Sequence, residues 1–538
     1  MYFRLIYLFS CLIIFSTASL LAKGNDSDTL RIIPKPSQIV ITGKSISLAQ
    51  KWRVYIDSRA NMNKEYIASL LRESGIDAHF TVKRRKANLL LLIDKEISKN
   101  FEAYHLQVSK NEKITASAIA KNGLLYAVHT LSQIVSLGDN KNLVVPSCEI
   151  TDEPAFSWRA FMLDESRHFH GKEVVKQLLD EMACLKMNTF HWHLVDDPGW
   201  RIQIKKYPLL TEIGAKGNYS LMSKGITPLQ WDSLYHKKAS WYYTQNEIRE
   251  IVQYANDRGI RIIPEIEVPG HVTASLYAYP WLGTSSRERG EVVPGDLYNI
   301  TDSKVETFLH DVLDEVMALF PSKVVHIGGD EANYTHWDSS KAVQTFMKEN
   351  HIPTSADLQV WAINRMSNYI SSKGGRMIGW NEITGDNVRN EANRQASKSQ
   401  QLASGTIVQF WDGDVSLINK AIEQGYDVVN SNRFFTYVDY PYETTSLEKA
   451  YSFNPIPAGI QTGDQSKILG LGCQMWGEHT PDTRRLYDHI FPRIAAYAEC
   501  GWVNPEKKTS YADFRKRMLP LEIIWKDLGF LKNQIGKY

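Results

Sequence analysis

The chain is 538 residues long, more than one ordinary core would need. At roughly 150 residues per domain it would divide into two to four units, although an α/β barrel takes about 250 residues as one. Hydrophobic residues at 43% and charged residues at 23% fit a soluble globular protein, and a net charge of +2 excludes a strong field toward nucleic acid or an anionic membrane, so no nucleic-acid partner is expected. The 14 Trp and 26 Tyr could cover the C–H faces of sugars, but most aromatics fill cores, and the counts alone decide nothing.

Arg4 precedes an apolar run, Leu5 to Leu21, with small residues at Ser16-Thr17-Ala18 and Ala22 before the polar stretch Lys23 to Asp28. This predicts a secretory signal peptide over residues 1–22 and export to the periplasm or beyond. An uncleaved anchor is the alternative, since the run could just span a bilayer. Cys11 lies inside the run rather than at its end, unlike a lipid-attachment cysteine, and no second stretch is long and apolar enough to span. Cys148, Cys184, Cys473 and Cys500 are dispersed without a CxxC pair, so buried free thiols are expected rather than a disulfide framework.

Residues 23–152 mix short strands and helices. Ala87–Ile93 suits a buried strand, Tyr104–Val108 and Ile114–Ala118 alternate with period two, and Leu124–Val135 has helical spacing after Gly123. The segment predicts a small α+β accessory domain without a catalytic constellation.

From residue 153 the rhythm changes. Eight strand-like runs follow: Ala160–Leu163, Thr189–Leu194, Ile260–Ile266, Val324–Ile327, Arg376–Trp380, Thr406–Trp411, Asp427–Ser431 and Leu469–Trp476. Amphipathic helices fit between most of them: Lys172–Lys186, Thr244–Arg258, Lys304–Phe320, Ser355–Ser371 and Val415–Gln424. A helix over Arg484–Cys500 and a helical tail over 506–538 follow. Eight such units predict an α/β fold of the (β/α)8 barrel type over residues 153–538. An open doubly wound sheet is the alternative, but no Gly-rich dinucleotide fingerprint follows any strand and no cofactor is expected. The long connection Pro198–Tyr243 would shape the rim.

Barrel enzymes work at the C-terminal ends of their strands. Those ends hold Asp164, Glu165 and Arg167; His193, Asp196 and Asp197; Glu265, Glu267 and His271; Asp330 and Glu331; Trp380, Asn381 and Glu382; Trp411 and Asp412; Tyr437 and Asp439; and Trp476 and Glu478. A single acid at a strand end often caps the next helix, and that reading suits Asp164 and Asp412 taken alone. It does not explain acids, histidines and indoles together at so many ends. His191 and His193 share a strand face, yet no HExxH or paired-ligand spacing is present and no metal is expected; no GxSxG turn for a serine nucleophile occurs either. Carboxylates and tryptophans without a cofactor motif point to glycoside hydrolysis. Ordinary glycosidases flank the bond with two opposed carboxylates, whereas Asp330 and Glu331 are adjacent and their side chains diverge on an extended strand. One solution is a nucleophile supplied by the substrate.

The sequence resembles the glycoside hydrolase family 20 β-N-acetylhexosaminidases. The resemblance rests on His326-Ile-Gly-Gly-Asp-Glu331, joined in order by Trp158–Phe169, His191–Arg201, Pro264–His271, Gly379–Glu382 and Trp476–Glu478, and it extends over the accessory segment. Ala160 and Glu267-Val268 depart from the commoner family pattern, which has Gly and Asp-Met there. The resemblance implies exo-acting, retaining release of terminal β-linked N-acetylglucosamine or N-acetylgalactosamine, the glycan being the partner. The substrate's acetamido oxygen would attack the anomeric carbon, Glu331 would act as acid and then base, and Asp330 would orient the acetamide and stabilise the oxazolinium. Tyr437 would hold the acetamide oxygen, and His271 with Asp196 would form a chain behind Glu331. Trp380, Trp411 and Trp476 would wall the pocket; Arg159, Asp439 and Glu478 would bind sugar hydroxyls. A sister enzyme releasing a disaccharide, or a silent glycan-binding protein on the same scaffold, are the competing readings.

Overall fold

The computed structural model describes residues 30–111, 113–138, 142–216, 240–386, 396–397 and 402–531. The N-terminal apolar run, half of the Pro198–Tyr243 connection and the end of the tail lie outside the described residues.

The first part of the chain builds a seven-stranded sheet, ordered Gln38–Ile41, Cys148–Asp152, Tyr104–Val108, Ile114–Ala118, Leu89–Ile93, Lys51–Ile56 and Asp77–Phe80. Tyr104–Val108 and Ile114–Ala118 alternate buried and half-buried residues and pair antiparallel in register, as period two requires when one face is covered. The cover is the helix Lys121–Ile134, with Lys64–Glu73 packed beside it.

Eight parallel strands then close a barrel: Trp158–Asp164, Thr189–His193, Arg261–Glu265, Val324–His326, Arg376–Trp380, Ile407–Phe410, Asp427–Asn430 and Ile468–Met475. Each overlaps one of the eight apolar runs. Helices on the outside and side chains on the inside bury both faces, so these strands read as continuous apolar runs. The two faces are distinct. Phe161, Leu163, Phe190 and Trp192 point outward into the large core shared with the helices. Trp158, Ala160, Ile263, Ile378, Ile407 and Val429 fill the lower interior of the barrel. Inward positions nearer the C-terminal ends, Asp164, His193, Glu265, His326 and Trp380, are polar or aromatic, so the interior changes character in that direction.

The predicted helix Arg484–Cys500 is in fact two, Thr483–Ile490 and Arg493–Trp502, because Pro492 has no N–H to continue the first. The last of the described helices is Tyr511–Asp527. Trp502 and Val503 leave the barrel and pack into the accessory core. Cys148, Cys184, Cys473 and Cys500 are free thiols, and all but Cys184 are buried. Among the described residues no helix is long and apolar enough to cross a membrane.

Arg159 belongs to this scaffold and not to the sugar pocket. It is the second residue of the first barrel strand, near the N-terminal end, and its parity is that of the outward-facing Phe161 and Leu163. Its guanidinium is fully buried and forks onto Glu102 of the accessory domain at 2.7 and 3.0 Å, while donating to Phe156 O, Lys186 O and Tyr126 Oη. Burial alone would raise the Glu102 carboxyl, but Arg159 holds it below the usual carboxylate range. Arg159→Ala would strand that acid, and a loss of about 3–5 kcal/mol is expected. Thermal unfolding should report it, with KM left near the wild-type value; a raised KM on an equally stable protein would return Arg159 to the pocket.

Candidate active site

The fourth strand ends at His326, and the chain then turns through Gly328 and Gly329 at φ +65° and +98°. Neither glycine has room for a side chain: a Cβ on Gly328 would meet Glu267 Oε2 at 1.7 Å, and one on Gly329 would meet Ile383 at 2.6 Å. Glu331 itself sits at φ +47° and His271 at +53°, a left-handed conformation that side chains adopt at local cost. These turns bring the two acids to one imidazole. His271 Nε2 lies 3.7 Å from Asp330 Oδ2 and 3.6 Å from Glu331 Oε2, while its Nδ1 faces Asp196 at 3.3 Å and Asp197 at 3.4 Å.

Behind this pair is a buried charge network. Glu265 is its hub: one oxygen lies 2.5 Å from His193 Nδ1 and 2.8 Å from His191 Nε2, and the other 2.8 Å from both His326 Nδ1 and the Trp380 indole nitrogen. The far nitrogen of His193 is 2.9 Å from Asp196, whose same oxygen is 2.7 Å from Arg167. Burial alone would lower His193, but Glu265 and Asp196 together push it up to about 10, so it is an imidazolium donating at both ends. His271 is likewise raised well above the usual range, against burial, chiefly by Asp196. Asp196 is held well below the carboxylate range by Arg167 and His271 despite its burial.

Acids nearer the cavity go the other way. Burial, with a smaller contribution from Glu331, pushes Asp330 up to about 7 even though His271 opposes it. Burial and Asp330 raise Glu267 and Glu382 well above their ordinary values, and burial and Glu478 raise Asp439. Burial of this kind disfavours any unpaired charge, so a positive charge developing on a bound sugar beside Asp330 would favour its carboxylate form.

The aromatic residues form one cage. Trp380, Trp411 and Tyr437 are buried together, with Trp476 against them. Trp411 and Tyr437 lie parallel at 6.2 Å, and Trp476 is 5.8 Å from Trp380 and 5.9 Å from Tyr437. Trp411 is fixed by its indole N–H, 2.8 Å from Glu382. At the end of the first strand Arg167 pairs with Asp164 at 3.1 Å, reaches within 3.8 Å of Glu478 and lies 5.2 Å over the Trp476 ring. The structure therefore brings Asp196, His271, Asp330, Glu331, Trp380, Trp411, Tyr437, Trp476 and Glu478 to one end of the barrel, with Asp439 close enough to feel Glu478. Arg167 is the cation there, in place of Arg159. The missed signal was parity: Asp164 ends the strand facing inward, and Arg159 differs from it by an odd number of residues.

Three sets of side chains have possible metal-ligand atoms within 4.8 Å of one another: His191, Glu265 and His326; His193, Asp196 and Glu267; and Asp196, Asp197 and His271. Glu265 pairs with the imidazoles of His191, His193 and His326, and Asp196 with those of His193 and His271, while Glu267 comes no nearer than 4.0 Å to His193 Nδ1 and both its oxygens lack a hydrogen-bond partner. Sequence spacing could not show this convergence, because Glu265 is remote from His193 and His326 until the barrel closes.

Comparison with known proteins agrees with this geometry. The description "Glycosyl hydrolase family 20, catalytic domain" matches residues 156–505, and "Glycosyl hydrolase family 20, domain 2" matches residues 29–153. The chain is 33% identical over 518 residues to a β-hexosaminidase of Porphyromonas gingivalis, covering 91% of this chain and 62% of that one. It is 33% identical over 506 residues to a β-hexosaminidase of Vibrio furnissii, covering 89% and 77%. It thus spans less than two thirds of the first relative's length. Among solved structures, a β-N-acetylhexosaminidase from Bacteroides fragilis aligns with a TM-score of 0.77 at 30% identity, covering 93% of this chain and 96% of that one. An exo β-N-acetylglucosaminidase from Vibrio harveyi, in complex with N-acetylglucosamine, aligns at 0.80 and 28%, covering 94% and 79%.

Proposed function

The chain belongs to glycosyl hydrolase family 20, and from that premise we propose that it releases terminal β-linked N-acetylhexosamine from the non-reducing ends of glycans with retention of anomeric configuration. One observation carries the reading: Asp330 and Glu331 face the same imidazole, His271 Nε2, at 3.7 and 3.6 Å. The two acids are neighbours in sequence and share one imidazole, and family 20 is among the substrate-assisted exceptions to the two-carboxylate mechanism. The second partner in bond cleavage is then the acetamido oxygen of the sugar itself.

In the first step that oxygen attacks the anomeric carbon, the glycosidic bond breaks, and Glu331 gives its proton to the leaving oxygen. Asp330 accepts the acetamide N–H, which holds the oxygen in line, and balances the positive charge spreading over the oxazolinium. Tyr437 donates to the acetamide oxygen. In the second step Glu331, now a carboxylate, takes a proton from water as it attacks the same carbon, and the acetamide is restored. Two displacements at one carbon give retention. His271, cationic and braced by Asp196, faces Glu331 in both states and steadies its charged form. Trp380, Trp411 and Trp476 enclose the acetamide and sugar face, and Asp439, Glu478 and Arg167 take the hydroxyls at the closed end, which makes the action exo.

The test is turnover of chromogenic β-N-acetylglucosaminides and β-N-acetylgalactosaminides against the matching β-glucoside, which lacks the acetamide. Hydrolysis of the first two and not the third is expected; equal rates would remove the substrate's part in the mechanism. A disaccharide-releasing enzyme would need a doubly occupied donor end, and a silent binder would not need Glu331 and His271 together. The same proposal includes export to the periplasm through residues 1–22, supported by the apolar run behind Arg4. Cell fractionation with N-terminal sequencing of the mature protein checks it.

A further inference from the structure

The accessory domain and the barrel differ in charge. Residues 30–152 carry 18 Lys and Arg against 11 Asp and Glu, a net charge of +7, whereas residues 153–538 carry 42 against 47, a net charge of −5. The overall charge of +2 conceals this division. Its densest point is Lys83-Arg84-Arg85-Lys86, consecutive cations in the connection between the strands Asp77–Phe80 and Leu89–Ile93. We propose that this basic surface binds an acidic polysaccharide, one bearing carboxylates or sulfates, and holds the protein on it independently of the catalytic pocket.

The topology gathers further cations beside the run. Its two flanking strands are parallel and separated by Lys51–Ile56, so the connection has to cross that strand. The helix Lys64–Glu73 packs on the side of Trp52 and Val54, and a right-handed return puts the connection on the other side, with the exposed Lys51 and Arg53. Arg53 is tied to the end of the run: its N–H donates to Asn88 Oδ1 at 2.9 Å and its carbonyl accepts from Asn88 N at 2.8 Å. Arg84–Lys86 form a single 3₁₀ turn, Lys86 N donates to Lys83 O at 2.9 Å, and Lys83 N donates to Thr81 Oγ1 at 3.1 Å. The backbone is therefore ordered in advance while the side chains of the run stay exposed, which lowers the cost of binding. Among the described residues none of Lys51, Arg53, Lys83, Arg84, Arg85 and Lys86 has an ion-pair partner. Asp77, beside Lys51 on the neighbouring strand, is paired with His79 at 3.1 Å.

The ligand class follows from the make-up of the surface. Uncommitted cations on one face suit a polyanion, whose affinity comes from neutralised charge and released counterions. Single-stranded nucleic acid is held by rings on which its bases stack, and no Phe, Tyr or Trp stands within the run. A lipid surface is held by an amphipathic helix with a broad apolar face; here one valine, Val82, is 89% exposed beside a three-residue turn. An acidic glycan chain needs neither, only cations spread along its path. The net negative charge of residues 153–538 disfavours the same polymer, which confines the contact to the accessory domain. Tethering of this kind raises the local concentration of glycan around the pocket without altering it.

The experiment measures binding of the whole protein to heparin, to polygalacturonate and to uncharged dextran, at low and at physiological salt. Wild type should bind the two acidic polymers and not dextran, more weakly as salt rises. Lys83→Ser, Arg84→Ser, Arg85→Ser and Lys86→Ser combined should weaken binding to both acidic polymers by about tenfold or more and flatten its salt dependence. Lys304→Ser, Lys341→Ser, Lys348→Ser and Lys516→Ser combined remove the same charge from exposed positions outside the accessory domain, and should change binding by less than about twofold. Both variants should keep the wild-type Tm and the wild-type turnover of a chromogenic β-N-acetylglucosaminide. No binding of wild type to either acidic polymer, equal losses in the two variants, or no loss in the first would each overturn the surface. Tighter binding to a single-stranded oligonucleotide or to anionic phospholipid vesicles than to either polymer would overturn the class of partner. A wild type that binds the acidic polymers but hydrolyses no substrate would instead overturn the proposed activity and leave the surface standing.

Discussion

Glu331→Gln is expected to lower kcat/KM on a disaccharide by about 10²–10⁴-fold, the usual worth of a positioned general acid. The loss should shrink sharply for a glycosyl fluoride, whose leaving group needs little proton assistance. Glutamine keeps the size and hydrogen-bonding reach of the side chain beside His271, so the fold should be undisturbed. A loss of equal size on both substrates would mean that Glu331 acts in some way other than proton transfer to the leaving group.

Asp330→Asn should behave differently. Asp330 acts on the acetamide and on the charge of the ring, and both are common to every substrate. A loss of about 10²–10³-fold is expected on disaccharide and fluoride alike, in line with the removal of one preorganised electrostatic partner. The same substitution should stabilise the protein. Burial holds the Asp330 carboxyl at about 7 in the fold, against 3.8 for an ordinary aspartate. The folded state therefore keeps this proton between about pH 4 and 7, where the unfolded chain has released it. Relative stability is full below pH 4 and is lost as the pH rises through about 7. Asparagine never ionises, so the Tm advantage of the variant should grow from pH 4 to 7 and then level off, amounting to a few kcal/mol at most. A Tm difference that ignores pH would show that Asp330 is not held protonated in the free enzyme. Because Asp330 works as a carboxylate, wild-type kcat/KM should fall as the pH drops below about 7, and the variant should lose that acid limb.

These expectations rest on parts of the molecule that differ in how openly the sequence displays them. The eight strands were legible because helices and interior side chains bury both faces, which leaves strands buried along their whole length and free of Lys, Arg, Asp and Glu, such as Thr189–His193 and Ile407–Phe410. The break at Pro492 was legible in principle, since the proline stands within the helical pattern. The placement of Arg159 needed one further step. Strand parity sets it with Phe161 on the outer face, where Glu102 receives it, while Arg167 beyond the strand end reaches the pocket. The Glu265 hub was not legible at all, because its three imidazoles come from the second and fourth strands and meet only on barrel closure. The roles of Tyr437 and the three tryptophans came from family resemblance, and the cage at 5.8 to 6.2 Å gives those roles a physical setting. Glu382 was legible as an acid past the fifth strand and as part of the Gly379–Glu382 motif, but its hydrogen bond from the Trp411 indole was not.

The central claim is that the nucleophile belongs to the substrate. Its most direct test is a series of aryl β-glucosaminides whose N-acyl group is acetyl, monofluoroacetyl, difluoroacetyl and trifluoroacetyl. Each fluorine withdraws electron density from the amide oxygen while changing little else at the anomeric carbon. The account predicts that kcat falls stepwise along the series. A rate independent of fluorination, together with a sugar trapped covalently on an enzyme carboxylate, would contradict it.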